Sequence, residues 1–338
     1  YREETVTPVE VPLPIPEFVE CSQPTATPDE ENRVIYLAAP RCTDTEYGIW
    51  RDTIKRAVQF VTDFRRDLQL LAAVTLSQKE SEAASNLLSF MHQNAWLTGN
   101  LETNQSIATA FLQLVYPWLQ TSYAGDLPAN LEPAEGVVAG VLARNALTRG
   151  SFRSATPLLI QDVVDFEPQL SQAQQFGLNP AAPTQASPQA PFIDRVTLLG
   201  PTPEGFHFLS DVTTNNDVNY RQANISRTIA LVLRAARTIG EEYVFEASGE
   251  RLWKQIENRL SDVLSIMQAN GALAGQRPQD AYQVRCDRST MTQQDIDSGR
   301  VIVQVMIRPA ASIETMRIQL AIGEGGRVSL SALGMEAA

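Results

Sequence analysis

The chain has 338 residues, 43% of them hydrophobic and 20% charged, a balance that excludes a disordered protein and suffices for one large core or two ordinary ones. Its net charge of −12, with no lysine or arginine block, excludes a nucleic-acid footprint, because phosphate binding needs concentrated positive charge. Of the 27 basic residues only Lys55, Lys79 and Lys254 are lysine, and the arginine excess suits bidentate ion pairs in protein contacts.

The chain opens on Tyr1 rather than methionine, so residues are expected to precede it. Residues 1–32 form a segment of their own, with prolines at 8, 12, 14, 16, 24 and 28, eight acidic residues, and Val9, Val11, Leu13 and Ile15 spaced by proline. The fixed φ of proline rules out a helix and favours an extended arm. Two readings stand: a disordered acidic tail, or a strand that docks on the sheet edge of another protein.

The compact part is expected over 33–338. "RVIYLAAP" (33–40) reads as a short strand, and "IWRDTIKRAVQFVTDFRRDL" sets Trp50, Ile54, Val58, Val61 and Phe64 at helical spacing. "LQLLAAVTL" follows as a buried strand and 81–98 as helix. "SIATAFLQLVYPWLQ" is apolar on both faces up to Pro117, as a central strand is, with a buried helix as the other option. "EGVVAGVLARNALTRG" reads as a helix ending at Gly150. Residues 170–191, rich in Gln, Ala and Pro, read as a loop or linker.

Beyond them "YRQANISRTIALVLRAARTI" and "SGERLWKQIENRLSDVLSIMQANG" are the clearest helices. In the second, Leu252, Trp253, Ile256, Leu260, Val263, Leu264 and Met267 form a core stripe, with Ser248 as cap and Gly271 as end. Strands "AYQVRCD", "VIVQVMIRP" and "ETMRIQLAI" close the chain. The fold class is therefore α/β in the broad α+β sense, a mixed central sheet flanked by helices.

No group of residues stands out for catalysis. Cys21, Cys42 and Cys286 form neither a disulfide framework nor a metal knuckle, and a reducing compartment fits them best. Period two puts Tyr282, Val284 and Cys286 on one face of their strand, so Cys286 is expected as a buried small hydrophobe. "DRSTMTQQDIDSG" lacks the order of a calcium loop and reads as a polar loop turning at Gly299. His92 and His207 show no metal or triad spacing, and "GEGGR" near the end follows no phosphate-loop consensus. No run reaches the roughly 20 apolar residues of a membrane span, and no signal peptide opens the chain. Catalytic, cofactor and metal residues are therefore expected to be none.

The segment from "FEASGERLWKQIENRL" to "ETMRIQLAI" resembles the C-terminal region of contractile tail sheath proteins of phages, R-type pyocins and extracellular contractile injection systems. The matching residues are Trp253, Gly271, Ala272, Leu273, Gly275, Tyr282, Val284, Cys286, Asp287, Thr292, Asp295, Ile296, Gly299, Pro309 and Glu314. "VYPWLQ" resembles the family's "YYPWL", and "LEPAEGVVAGVLARNALTRGSFRSATP" its "PPSG.VAGVYARTD..RGVWKAPAN". "YREETVTP" looks like the tail of "PGVYREE". The likeness covers most of 105–322. The family's "FVG…FFNGG" region is not recognisable after the arm, which leaves room for a specialised paralogue at the cap or baseplate end.

The resemblance implies a structural subunit, not an enzyme, that polymerises helically around an inner tube and contracts to drive it through a target envelope. Implied partners are further copies of the chain, the inner tube protein, and baseplate and terminator or cap proteins, without nucleic acid or direct membrane insertion, assembled in a bacterial cytoplasm as part of a phage tail or tail-like particle. It implies arms that add strands to neighbours: Val9, Val11, Leu13 and Ile15 in the N-terminal arm, and Met316, Ile318, Leu320 and Ile322 in a C-terminal arm at about 314–333. The receiving sheet would contain Tyr282, Val284, Cys286, Val303 and Val305. A tube-facing helix would present Glu250, Arg251, Lys254 and Glu257. The competing reading is a soluble α/β enzyme with an unrecognised site.

Overall fold

The computed structural model describes residues 38–98, 101–102, 105–156, 158–171, 174–175, 178–179, 182–186, 192–243, 246, 248–310, 316–322 and 328–334. Its first element is the short strand β1 (Arg41–Cys42). Of the strand expected at 33–40, residues 38–40 are not strand, and 33–37 lie outside the described residues. Helix α1 (Asp44–Phe64) begins ahead of the expected start because Thr43 and Glu46 form a capping box. The Thr43 hydroxyl accepts the Glu46 N–H at 3.3 Å and the Glu46 carboxylate accepts the Thr43 N–H at 2.6 Å, satisfying donors that a helix start otherwise leaves unpaired.

The inner face of α1 buries Tyr47, Val58 and Val61, with Trp50 and Ile54 packed beside them. Phe64, expected on this stripe, is 67% exposed. At 3.6 residues per turn it lies roughly 80° round from the stripe's centre, on the flank of Phe60.

Strands β2 (Leu70–Ala73) and β3 (Leu76–Ser77) follow, then the short helices α2 (Glu82–Ser85) and α3 (Leu87–Gln93) in place of a continuous helix over 81–98. Asn86 interrupts them with φ −159° and accepts the Ser89 N–H at 3.0 Å as the cap of α3. Strand β4 (Leu112–Tyr116) is buried along its whole length, which settles the strand-or-helix question for this segment. Past Pro117 comes β5 (Trp118–Thr121), then α4 (Glu135–Thr148), followed by Gly150 at φ +100°, and β6 (Val163–Glu167) antiparallel to β5. The segment expected as a loop at 170–191 contains a hairpin, β7 (Leu178–Asn179) with β8 (Ala182–Ala186).

Strands β9 (Thr197–Thr202) and β10 (Gly205–Phe208) complete the central mixed sheet in the order β10-β9-β4-β2. Within it β2, β4 and β9 run parallel, and β10 is antiparallel to β9. Strand alternation divides the core. Leu112, Leu114, Tyr116 and Leu198 pack with Tyr47, Val58, Phe90 and Met91 of α1 and α3. Val115, Leu199 and Phe208 pack with Val138 of α4 and Phe166 of β6. Helices α1 and α4 therefore cover opposite faces of one sheet.

The remaining elements build a second layer. Helices α5 (Val218–Arg221), α6 (Ala223–Glu242), α7 (Glu250–Ala269) and the short α8 (Pro278–Ala281) precede strand β11 (Tyr282–Arg285). Helix α9 (Gln293–Asp297) lies inside the expected polar loop, started by a second capping box between Thr292 and Asp295. Strands β12 (Val301–Ile307), β13 (Met316–Ile322) and β14 (Val328–Gly334) complete an antiparallel sheet ordered β11-β12-β13-β14. The buried stripe of α7, from Leu252 and Trp253 to Leu264, is the expected one. Its cap is not: Gly249 is the N-cap, and the Ser248 hydroxyl instead accepts the Trp253 indole N–H at 3.3 Å.

One carboxylate ties the layers together. Asp211 has a fully buried side chain and accepts both Nη atoms of Arg227 in α6, at 2.5 and 3.1 Å. It also accepts Gln113 Nε2 of β4 at 3.0 Å and the Ala155 N–H at 2.8 Å. Gln113 in turn donates to Thr197 Oγ1 of β9 at 2.8 Å. A second bridge runs from Asp67, between α1 and β2, to Arg65 at 2.9 Å and to Arg237 of α6 at 3.3 Å. The hydrogen bond and charge of Arg65, with Arg237 behind it, hold the Asp67 carboxyl below the usual carboxylate range despite its burial.

Two outcomes follow. Arg227→Ala strands a buried carboxylate and should lower unfolding stability by about 3–5 kcal/mol, read as a shift of the urea midpoint. For Asp67 the depressed folded pKa means its contribution is present above the ordinary carboxylate range and is lost as pH falls through the folded value. Asp67→Asn should therefore lower Tm at pH 7, and the gap to the parent should close in acid; a gap independent of pH would refute the assignment.

Candidate assembly interface

The alternation of the terminal sheet shows in β11 and β12. Buried Val301, Val303, Val305 and Ile307 share one face of β12, whose other face carries buried Ile302 and half-buried Gln304 and Met306. Along β11, Tyr282 and Val284 are half-buried while Gln283 and Arg285 are exposed. Pairing sets Tyr282 opposite Ile307 and Val284 opposite Val305. The apolar face of this pair packs on α6 and α7 through Ile229, Val232, Leu233, Ala236, Leu260 and Leu264. Full burial of each such Ile, Val or Leu side chain is worth about 1.5–3 kcal/mol relative to exposure, which holds this face to the helices.

Tyr282, Val284, Cys286, Val303 and Val305 all belong to this face, as the alternation predicts. Cys286 is 3% exposed. Burial, reinforced by the charges of Glu257 and Asp287, pushes its thiol up to about 12, so it is protonated and inert at neutral pH.

The segment expected as a C-terminal arm supplies β13 and β14, and in the single chain both pair within its own sheet. Ile322, Leu320, Ile318 and Met316 stand opposite Val301, Val303, Val305 and Ile307 in register. Strand β14 follows antiparallel, with a register shift between Gln319 and Leu320. Strands β11 and β14 are the two edges. Val9, Val11, Leu13 and Ile15 lie outside the described residues, as does "GEGGR" at 323–327.

On α7, Glu250, Arg251 and Lys254 are exposed, whereas Glu257 is half-buried and turned toward the sheet. Its carboxylate accepts Lys254 Nζ at 2.6 Å and the Cys286 N–H at 3.4 Å. Three of the four residues expected on an outward face are thus available to a partner, and the fourth braces the end of β11.

The histidines are dispersed among ordinary contacts. His92 lies in the last turn of α3, where burial and the nearby charge of Arg195 lower its pKa. His207 Nδ1 in β10 meets Thr202 Oγ1 at 2.8 Å. Among the described residues no three His, Cys, Asp or Glu side chains are grouped to hold a metal, and no helix is long and apolar enough to cross a membrane. The Asp211, Arg227 and Gln113 cluster was missed from the sequence, although a glutamine inside the apolar run "LQLVY" signals a buried partner.

The thiols give a direct check. With iodoacetamide at pH 7.4, Cys286 should stay unmodified in the native protein and react once urea unfolds it; native labelling at the unfolded rate would contradict its place in the core.

No family model matches the chain, and no curated protein does. Solved structures do. The chain is similar to a component of the anti-feeding prophage (AFP) baseplate, 6-fold symmetrised, with 20% identity and TM-score 0.56 over 80% of this chain and 62% of that one. It is similar to the PVC sheath complex of an extracellular contractile injection system in the contracted state, with 23% identity and TM-score 0.52 over 62% of this chain and 55% of that one. A sheath tail protein from Listeria innocua matches at 13% identity and TM-score 0.50, over 84% of this chain and 61% of that one. The chain thus spans 55 to 62% of the length of these structures, and its fold is that of contractile tail sheath proteins.

Proposed function

We propose that the chain is a structural subunit of a contractile tail sheath, polymerising helically around an inner tube and contracting to drive that tube through a target envelope. The shared fold with sheath structures carries this reading. Work in such an assembly comes from many small differences in subunit contact between two packings, and the extended form is held kinetically. No catalytic group is needed. The partners are other copies of the chain, the tube protein, and baseplate and cap proteins, with assembly in the bacterial cytoplasm.

Subunits that rotate without separating need connections whose hydrogen bonds survive while a linker swivels, and strand exchange meets that need. The terminal sheet supports it because its outer strands, β11 and β14, each keep one side without a paired strand among the described residues. In this reading the pairing seen within one chain for Met316, Ile318, Leu320 and Ile322, and for the β14 strand after them, is the register that the segment 314–333 keeps when it crosses to a neighbour. A swapped element forms the same bonds in another copy. The N-terminal arm, with Val9, Val11, Leu13 and Ile15, adds to a sheet edge of a further copy. Glu250, Arg251 and Lys254 of α7 face the tube, with Glu257 linking that face to β11 through Cys286.

A second reading is favoured by the match to a baseplate structure: a sheath paralogue at the baseplate end, present in few copies per particle. Copy number per particle separates the two. For the main reading, deletion of residues 1–16 should leave Tm unchanged and abolish the rods or tubes that the parent forms in negative stain. Rods of undiminished length from the deletion would remove the arm from the mechanism.

A further inference from the structure

Helices α1 and α4 pack on opposite faces of the central sheet, and each leaves an apolar surface uncovered by the described residues. On the outer flank of α1, Ile49 is 64%, Phe60 58% and Phe64 67% exposed, with the two phenylalanine rings 5.4 Å apart between centroids. Exposed Asp63 adjoins them. The inner face of α1 meets the sheet with other residues, so this patch serves no packing within the described chain, and contiguous exposed apolar surface marks a contact site.

Helix α4 shows the converse shape. A groove between it and residues 159–161 is lined by Val137, Gly140, Val141, Arg144 and Leu159, and Leu147 beside it is 90% exposed. A Cβ on Gly140 would meet nothing within 4 Å. The chain's own packing therefore does not require this glycine, which weakens a helix interior relative to alanine and permits close approach from outside. Arg144 is exposed on the same surface.

From these two surfaces we infer that α1 of one copy of this chain docks into the α4 groove of the next copy, with Phe60 and Phe64 entering beside Gly140 and Asp63 meeting Arg144. Size and charge select the pairing, since two bulky rings beside an acid, Asp63, meet a groove with a glycine, Gly140, beside an arginine, Arg144. Because the two surfaces lie on opposite faces of one sheet, the contact is heterologous and adds copies without closing on a pair. It goes beyond the exchange of arms, since it joins rigid helices and involves neither 1–37 nor 311–338.

The test uses the chain with Asp63→Arg, with Arg144→Asp, and with Phe60→Ser and Phe64→Ser together, each confirmed folded by thermal unfolding. Sedimentation velocity of each variant alone should show self-association weakened about tenfold or more. An equimolar mixture of the two charge variants should regain it, because each mismatched surface then finds its complement on the other copy. Unchanged association of the phenylalanine variant, or no recovery in the mixture, would overturn the inference.

Discussion

The Asp211 carboxylate is buried without water access, and its position is fixed by donors from three parts of the chain: Arg227 of α6, Gln113 of β4, and the backbone at Ala155. A buried charge tolerates few arrangements of its partners, since any donor that moves away leaves it unpaired in a low dielectric. The consequence is mechanical. Helix α6 cannot shift against the central sheet without breaking this cluster, and α6 also forms part of the floor on which β12 rests. A displacement of the terminal sheet would therefore be passed through α6 to the central sheet. The Arg237 bridge to Asp67 adds a second tie at the far end of the same helix.

Around that rigid joint the terminal sheet combines a helix-packed face with two edges. Strands β11 and β12 make apolar contact with α6 and α7, and β13 and β14 extend the same sheet by backbone pairing and also lie against α6. In the proposed sheath, a rigid body whose terminal strands exchange would let subunits reorient yet stay joined. The α1 patch and the α4 groove, if they meet as inferred, would supply a different kind of contact, one that can be made or broken as bodies slide.

Periodicity made much of this legible. The α7 stripe, the burial of β4 and the two-residue alternation in β11 are local patterns whose reading depends only on which side of the chain is apolar. Boundaries followed less well, because capping boxes at Thr43 and Thr292 set helix starts through side-chain hydrogen bonds outside the apolar pattern. Phe64 was misplaced for a related reason: helical spacing places it at the rim of the stripe, and only tertiary packing decides on which side a rim residue falls. The Asp211 cluster joins residues 113, 155, 211 and 227, too far apart in sequence for any spacing rule, and Glu257 could be placed on α7 but not turned toward Cys286 without knowing where β11 lies.

A map of the assembled polymer at a resolution that traces strands tests the central claim most directly. The account predicts tubes in which the terminal sheet of each subunit carries strands from neighbouring copies. Small closed oligomers, or tubes in which every sheet is completed by its own chain and the N-terminal residues fold back on their own subunit, would contradict it.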